Sequence, residues 1–337
     1  MAHDKTAVVA FGGNALIGED EPGYEEVQVE LVEKLAEGLL HFLQGGYDLL
    51  LVHGNGPQVG NSIIRVEESI TKVPELTLDA CVAQTEGSIG YYLELALRNV
   101  LRESGDGREV VTVLTTVEVA ADDPRLKAPT KPVGPFYSKY RAEAIGRVLG
   151  WKLIEDSGRG FRRVVPSPKP LRVLNAKLVK RLVHSGAIVI AGGGGGVPVV
   201  REEGRWHGVE AVIDKDYTTT LLADAVEADM LVVLAPVDHV SLHFNTEQEQ
   251  PIREMTVSQA ARYLWEGHFP PGSMGPKVEA AMEFASKRQA PVLITSIGAL
   301  ADTLAGNAGT RVIPDARFCS ECGTKLGDPS GSGERAG

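Results

Sequence analysis

Six short apolar runs recur along this chain of 337 residues, each long enough for one strand and bounded by glycine, proline or polar residues. They are AVVAF (7–11), YDLLLV (47–52), VVTVLTTV (110–117), AIVIA (187–191), DMLVVLA (229–235) and APVLIT (290–295). Apolar throughout rather than alternating, they predict strands covered on both faces, as in a parallel sheet flanked by helices. Helix-like segments lie between most of them. In 24–44, Val27, Leu31, Leu35, Leu39 and Phe42 recur at three- or four-residue spacing, and Gly45-Gly46 ends the pattern. This order predicts an α/β chain, a three-layer α/β/α sandwich with a mainly parallel sheet.

The totals narrow the function. With 34 basic and 45 acidic residues, the net charge is −11, which argues against a general nucleic-acid or membrane-surface binder. The N-terminal MAHDKTAVVAF lacks the apolar core of a signal peptide, and no run approaches the length of a membrane span. Three scattered cysteines do not make a disulfide framework. A cytoplasmic enzyme is the expectation.

One segment breaks the rhythm. Residues 119–170 hold seven prolines, a composition read as incompatible with interior strands and helices. They also hold two basic clusters, Lys127/Lys131 and Arg159/Arg162/Arg163/Lys169. The segment reads as a subdomain inserted in a main domain of 1–316: a solvated surface insert, or a lid carrying positive charge towards an anion. The stretch 317–337 reads as a flexible extension with a C-x-x-C pair, Cys319 and Cys322. The pair is half a zinc ribbon; four-coordinate zinc needs two further ligands, which a second tail in a dimer would have to bring. A metal-free, reducible pair is the plainer reading, so no metal ligands are assigned.

The glycine-rich motifs follow strands directly: Gly12-Gly13-Asn14, His53-Gly54-Asn55-Gly56-Pro57-Gln58 and Gly192–Gly196. In an open parallel sheet the carboxyl ends of the strands form the ligand-binding edge, so three loops there present many backbone donors to one place. A Walker P-loop is absent. A dinucleotide fingerprint starting at Gly192 fails, because Val197 stands where its last glycine belongs and Pro198 follows. Three lysines sit in loops built from Gly and Pro or at helix starts: Lys131 in PTKPVGPF, Lys215 in AVIDKDY, where a strand-like piece meets a helix, and Lys277 after Pro276. Lysine at a helix start is poorly matched to the helix dipole unless an anion binds there. Phosphoryl transfer needs this equipment, because positioning and positive charge supply most of its catalysis. Asp214 and Asp216 flank Lys215 and are placed to orient it; Asp216 also reads simply as a helix N-cap.

At these residues the sequence resembles the carbamate kinases of the amino acid kinase superfamily. The matching segments are AFGGNAL, VHGNGPQVGN, LDACVAQTEGSIGYYL, PTKPVGPF, GRGFRRVVPSPKP, GGGGGVPVV, GVEAVIDKD and GHFPPGSMGPKVEAA, in order along nearly the whole chain. The resemblance implies reversible phosphoryl transfer between ATP and carbamate, giving ADP and carbamoyl phosphate, with Mg²⁺. It also implies a sheet of about eight strands and a homodimer. By analogy, Gly12, Gly13, Asn14, Gly54 and Asn55 match positions around carbamoyl phosphate. Lys131, Lys215 and Lys277 match the charge-stabilising lysines, and Asp216 the carboxylate that organises them. The nucleotide is expected near Gly195, Asp214, Val237, Asp238, Phe244 and Met274. Many relatives carry a lysine two residues before the first glycines, where this chain has Ala10; Lys215 is the evident replacement, which argues against acetylglutamate kinase, aspartokinase and UMP kinase. The alternatives left open are a catalytically silent relative that binds carbamoyl phosphate or nucleotide, and a kinase of another small acid.

Overall fold

The computed structural model describes residues 5–16, 24–156, 158–270 and 274–316, with Asn14 described by its backbone alone. The C-x-x-C pair at Cys319 and Cys322 lies outside the described residues. In chain order the first half runs β1 (Lys5–Phe11), α1 (Glu25–Gln44), β2 (Tyr47–His53), α2 (Gly56–Ser69), α3 (Leu78–Ser104), β3 (Val110–Val113), β4 (Thr116–Val119), β5 (Lys131–Tyr137), α4 (Lys139–Leu149), β6 (Leu153–Glu155), β7 (Phe161–Val165) and β8 (Pro170–Val173). The second half runs α5 (Ala176–Val183), β9 (Ile188–Ala191), β10 (Val197–Glu202), β11 (Arg205–Gly208), α6 (Lys215–Ala225), β12 (Met230–Leu234), β13 (Val240–Leu242), β14 (Gln250–Ile252), β15 (Glu254–Thr256), α7 (Val257–Trp265), α8 (Met274–Arg288), β16 (Val292–Thr295), α9 (Leu300–Leu304) and β17 (Thr310–Ile313).

The main sheet has eight strands in the order β15-β17-β16-β12-β1-β2-β9-β3. Its pairings are parallel except for β16 with β17, so the mainly parallel sheet is borne out. The strands are apolar on both faces because both faces are covered. Ala7, Val9 and Phe11 of β1 pack with Leu35, Leu39 and Phe42 of α1 and Ile89, Leu93 and Leu97 of α3. Val8 and Ala10 pack with Val179 and Val183 of α5, Leu222 of α6 and Val278 and Phe284 of α8. A third, smaller core joins α2 and the start of α3 to the proline-rich segment through Val59, Ile63, Val82, Val133 and Val165.

The structure departs from the sequence reading at three places. VVTVLTTV is two strands, because the chain leaves the main sheet at Leu114-Thr115: β3 pairs with β9, whereas β4 pairs with β8 and β10 in a second, four-stranded sheet. Pro132 and Pro135 do lie in a strand, β5, and Pro170 opens another, β8. Both are edge strands, of the orders β5-β7-β6 and β11-β10-β4-β8, where a missing N–H costs no ladder bond. The strand-like AVI before Lys215 is buried yet joins no sheet; Val212 N–H instead donates to the Pro166 carbonyl at 3.0 Å.

Candidate active site

The carboxyl ends of β1, β2 and β9 meet at one rim, and the glycine loops after them line a single cleft. The loops after β1 and β2 touch through their backbones. Gly54 N–H donates to the Phe11 carbonyl at 2.7 Å, and a Cβ added to Gly54 would stand 2.7 Å from the Gly13 nitrogen. Only glycine permits that approach, which leaves peptide groups rather than side chains facing the cavity. Asn55 occupies the N-cap position of α2 without capping it; its amide donates instead to the Thr85 hydroxyl at 2.8 Å. The α2 terminus therefore keeps uncapped N–H groups at the cleft, where Gly56 is part of the wall. That is an anion-binding arrangement.

The opposite wall carries the charge. Lys131, Arg162, Asp214, Lys215, Asp216 and Lys277 all line the same cavity. Asp214 caps α6 by accepting from Asp216 N–H at 3.1 Å, and its other oxygen lies 3.4 Å from Lys131 Nζ. The sequence reading of Asp216 as the cap is therefore corrected: the cap is Asp214, two residues earlier, where the chain is still extended. Asp216 sits in the first helical turn, only 7% exposed. One of its oxygens accepts from Lys215 Nζ, and the other lies 3.6 Å from Lys277 Nζ. Burial alone would raise the Asp216 pKa, but Lys215 and Lys277 outweigh it and hold the carboxyl below its usual range. Lys277 is displaced the other way: burial first, then repulsion from Lys215, lowers its pKa, and Asp216 and Asp214 oppose that only in part.

These contacts fix three ammonium groups around one space with two carboxylates behind them. Arg162 is a fourth cation there, held by the Gly134 carbonyl at 3.0 Å and Asp156 at 3.2 Å. It stood in the basic cluster read from the sequence, but its place in the cleft depends on β7 pairing back along β5, which composition does not show. The cavity measures about 240 Å³, below the roughly 300–1,000 Å³ of typical small-molecule pockets. It suits a small acid and phosphate groups rather than a whole nucleotide.

The cavity also gathers Gly12, Gly13, Gly54 and Asn55. Gly195, Val237, Asp238, Phe244 and Met274 fall outside it. Gly194 lines the wall in place of Gly195, whose carbonyl accepts from the Thr218 hydroxyl at 2.7 Å. Val237 and Asp238 follow β12, where Asp238 accepts from Ser296 Oγ at 2.5 Å; Phe244 is 52% exposed, and Met274 opens α8 one turn before Lys277. Val237 and Asp238 thus follow the strand that neighbours β1 in the sheet, and Met274 lies on the helix that carries Lys277.

The sequence pattern of the amino acid kinase family matches residues 5–296. The chain is 43% identical over 309 residues to the carbamate kinase of Pyrococcus horikoshii, an alignment spanning 91% of this chain and 98% of that one. It is also 43% identical over 310 residues to the carbamate kinase-like protein YahI of Escherichia coli, across 91% and 98% of the two chains. The structure superposes on the carbamate kinase of Giardia lamblia bound to AMP-PNP with a TM-score of 0.87 at 38% identity, covering 94% of this chain and 100% of that one. With its glycine-floored, lysine-walled cleft, the chain belongs to the amino acid kinase family and, within it, to the carbamate kinases.

Proposed function

We propose that the cleft catalyses reversible phosphoryl transfer between ATP and carbamate. Towards carbamoyl phosphate, a carbamate oxygen attacks the γ-phosphorus of ATP, the bond to the β,γ-bridging oxygen breaks, and ADP leaves with that electron pair. Towards ATP, a β-phosphate oxygen of ADP attacks the phosphorus of carbamoyl phosphate and carbamate leaves. The observation that carries this reading is the convergence of Lys131, Lys215 and Lys277 on one cavity floored by glycine loops. Charge spreads over the oxygens of the moving phosphoryl group, and ammonium groups fixed in advance stabilise it without reorganising. Asp216 keeps Lys215 and Lys277 together despite their mutual repulsion, and Asp214 holds Lys131. Gly12, Gly13, Asn14, Gly54 and Asn55 are assigned to the carbamoyl phosphate end. The nucleotide is assigned to Asp214, Gly195, Val237, Asp238, Phe244 and Met274; the cavity's small size supports placing the base and ribose outside it.

Mg²⁺ is part of the proposal. No group of three His, Cys, Asp or Glu able to hold a metal occurs among the described residues, so the ion would arrive on the phosphates. Asp214, a third exposed in the cavity wall, fits as its carboxylate donor, and the ion would supply charge at the phosphate oxygens. Residues 119–170 act as a lid in this reading, since they bring Lys131 and Arg162 to the cleft and excluding water protects labile carbamate. A homodimer is supported by the position of β3 at the edge of the main sheet and by the exposed Tyr91, Leu95 and Leu114 near it. A cytoplasmic role in arginine metabolism goes with the family.

The assay is ATP formation from ADP and carbamoyl phosphate by purified protein. Formation at an enzymatic rate is expected. Binding of either ligand without turnover would instead favour a silent relative, and turnover only with another acyl phosphate a different acid kinase.

A further inference from the structure

Behind the glycine loops lies a carboxylate that no lysine among the described residues reaches. Glu86 on α3 is 1% exposed, and its Oε2 accepts from Thr115 N–H at 2.7 Å. Thr115 is the residue at which the chain passes from β3 to β4, and it holds both ends of the Gly192–Gly196 loop. Its hydroxyl accepts from Gly192 N–H at 2.7 Å and donates to the Val113 carbonyl at 2.8 Å. Its carbonyl accepts from Val197 N–H at 2.8 Å. From the front, the loop rests on Glu86 directly: a Cβ on Gly193 would stand 2.8 Å from Glu86 Cγ and 2.5 Å from the His53 ring. The preceding residue, Thr85, holds the Asn55 amide. Two consecutive residues of α3 thus secure two loops of the cleft.

We propose that Glu86 is a positioning residue for phosphoryl transfer, acting as a neutral carboxylic acid that fixes the Gly192–Gly196 loop through Thr115. The role rests on the functional reading above, although the clamp itself does not. Its surroundings favour the neutral form. Burial pushes the Glu86 pKa up to about 8, and the Thr115 N–H opposes this only in part. His53, from the end of β2, is the ionisable side chain against it; burial pushes that imidazole down to about 4, so it is uncharged too. β9 and the glycine loop bring no ionisable side chain, the joint between β3 and β4 brings Leu114 and Thr115, and the buried face of α2 brings Gln58, Val59, Ser62 and Ile63. An anion at Glu86 would sit uncompensated behind donors meant for phosphate, and would pull them backwards or drive the loop off its seat.

The test compares the full chain with Glu86→Gln and Glu86→Leu at pH 7 and pH 9. Gln keeps the shape and acceptor but cannot ionise; Leu removes the acceptor. Hydrogen exchange is read on peptides spanning residues 192–197, each normalised to a peptide from β1. About one unit above the Glu86 pKa, only about a tenth of the protein keeps the proton, so normalised loop protection in the wild-type chain should fall about tenfold at pH 9. Glu86→Gln should show no such fall, and Glu86→Leu should lack protection at both pH values. In the ATP-forming assay, the wild-type kcat/KM for ADP should lose about tenfold more than that of Glu86→Gln between the two pH values. An equal alkaline fall in both proteins overturns the proposal. So does wild-type loop protection that ignores pH, which remains readable if Glu86→Leu fails to fold. If the wild-type chain makes no ATP, the functional reading fails while the exchange data still decide the role of Glu86.

Discussion

Asp216 and Glu86 are both buried, and both stand close to the same glycine loop, yet the protein holds one ionised and the other neutral. Asp216 faces the cleft between Lys215 and Lys277 and is held ionised. Glu86 faces the back of the loop, meets a backbone N–H and a neutral imidazole, and is held protonated up to about pH 8. Burial acts alike on both, raising the pKa. The outcome differs because two ammonium groups lie within reach of one and none is brought to the other. The front of the loop is therefore an ionic environment that answers a developing charge, and the back is a neutral one that fixes geometry.

The strongest way to break this contrast is Asp216→Asn, which keeps the shape and removes the charge. Lys215 and Lys277 then repel without a counter-ion. We expect kcat to fall by about 10²–10³, the range seen when one preorganised electrostatic contact is lost. Because Asp216 raises the Lys277 pKa, its loss lowers that pKa further, so the alkaline limit of any residual activity moves to lower pH. A pH profile of kcat that keeps its alkaline limb in place would show that the two groups are not coupled.

The second prediction concerns stability at the back of the loop. Glu86 is raised from 4.5 to about 8, so the folded chain binds more protons than the unfolded one between those values. Its contribution is complete below about pH 4.5 and is lost as pH rises towards 8, at up to about 1.4 kcal/mol per unit. Denaturant titrations should find Glu86→Gln more stable than the wild-type chain by a few kcal/mol at pH 8, with the gap closing towards pH 4.5. A gap independent of pH would place an ionised carboxylate at residue 86 in the fold.

Lys131→Ala tests the front from the side of the proline-rich segment. Among the described residues Lys131 is held by Asp214 and the Ile213 carbonyl, at 3.4 and 3.3 Å, long contacts that leave it free to turn towards a bound phosphate. Turnover should fall by about 10²-fold. Steady-state kinetics should show a smaller change in KM if the contact strengthens in the transition state.

The two environments were unequally legible in the sequence. The front announces itself: glycines after core strands, and lysines among Gly, Pro and Asp, form local patterns with a chemical reason at each position. The back does not. Glu86 sits in AQTEG on a helix, where a glutamate reads as a solvated residue, and its burial and protonation follow from packing of α3 against His53, Thr115 and a glycine loop more than a hundred residues away. The broken strand at Leu114-Thr115 escaped for a related reason: a continuous β-branched run says nothing of Glu86 taking the Thr115 N–H from the ladder. The edge strand β15 and its neighbour β17, three and four residues long, are set by pairing at the sheet margin rather than by their own pattern. The prolines of β5 signalled irregular chain but could not reveal that β5 is an edge, nor that β7 carries Arg162 back to the cleft.

A third carboxylate separates charge pairing from position. Glu67 on α2 accepts from the Tyr137 hydroxyl at 2.8 Å and pairs with Arg141 at 2.5 Å, tying α2 to the proline-rich segment. Like Asp216 it is paired with a cation, and its side chain is only 7% exposed; unlike Asp216 it is not part of the cavity wall. Arg141 is half exposed, so solvent screens the pair and its contribution to stability is small. Glu67→Gln should therefore alter kcat by less than about threefold and lower stability only slightly, measured by the same assay and titration. A loss in kcat approaching that of Asp216→Asn would mean that seating the proline-rich segment on α2, rather than charge beside the reacting phosphate, is what the paired carboxylates contribute.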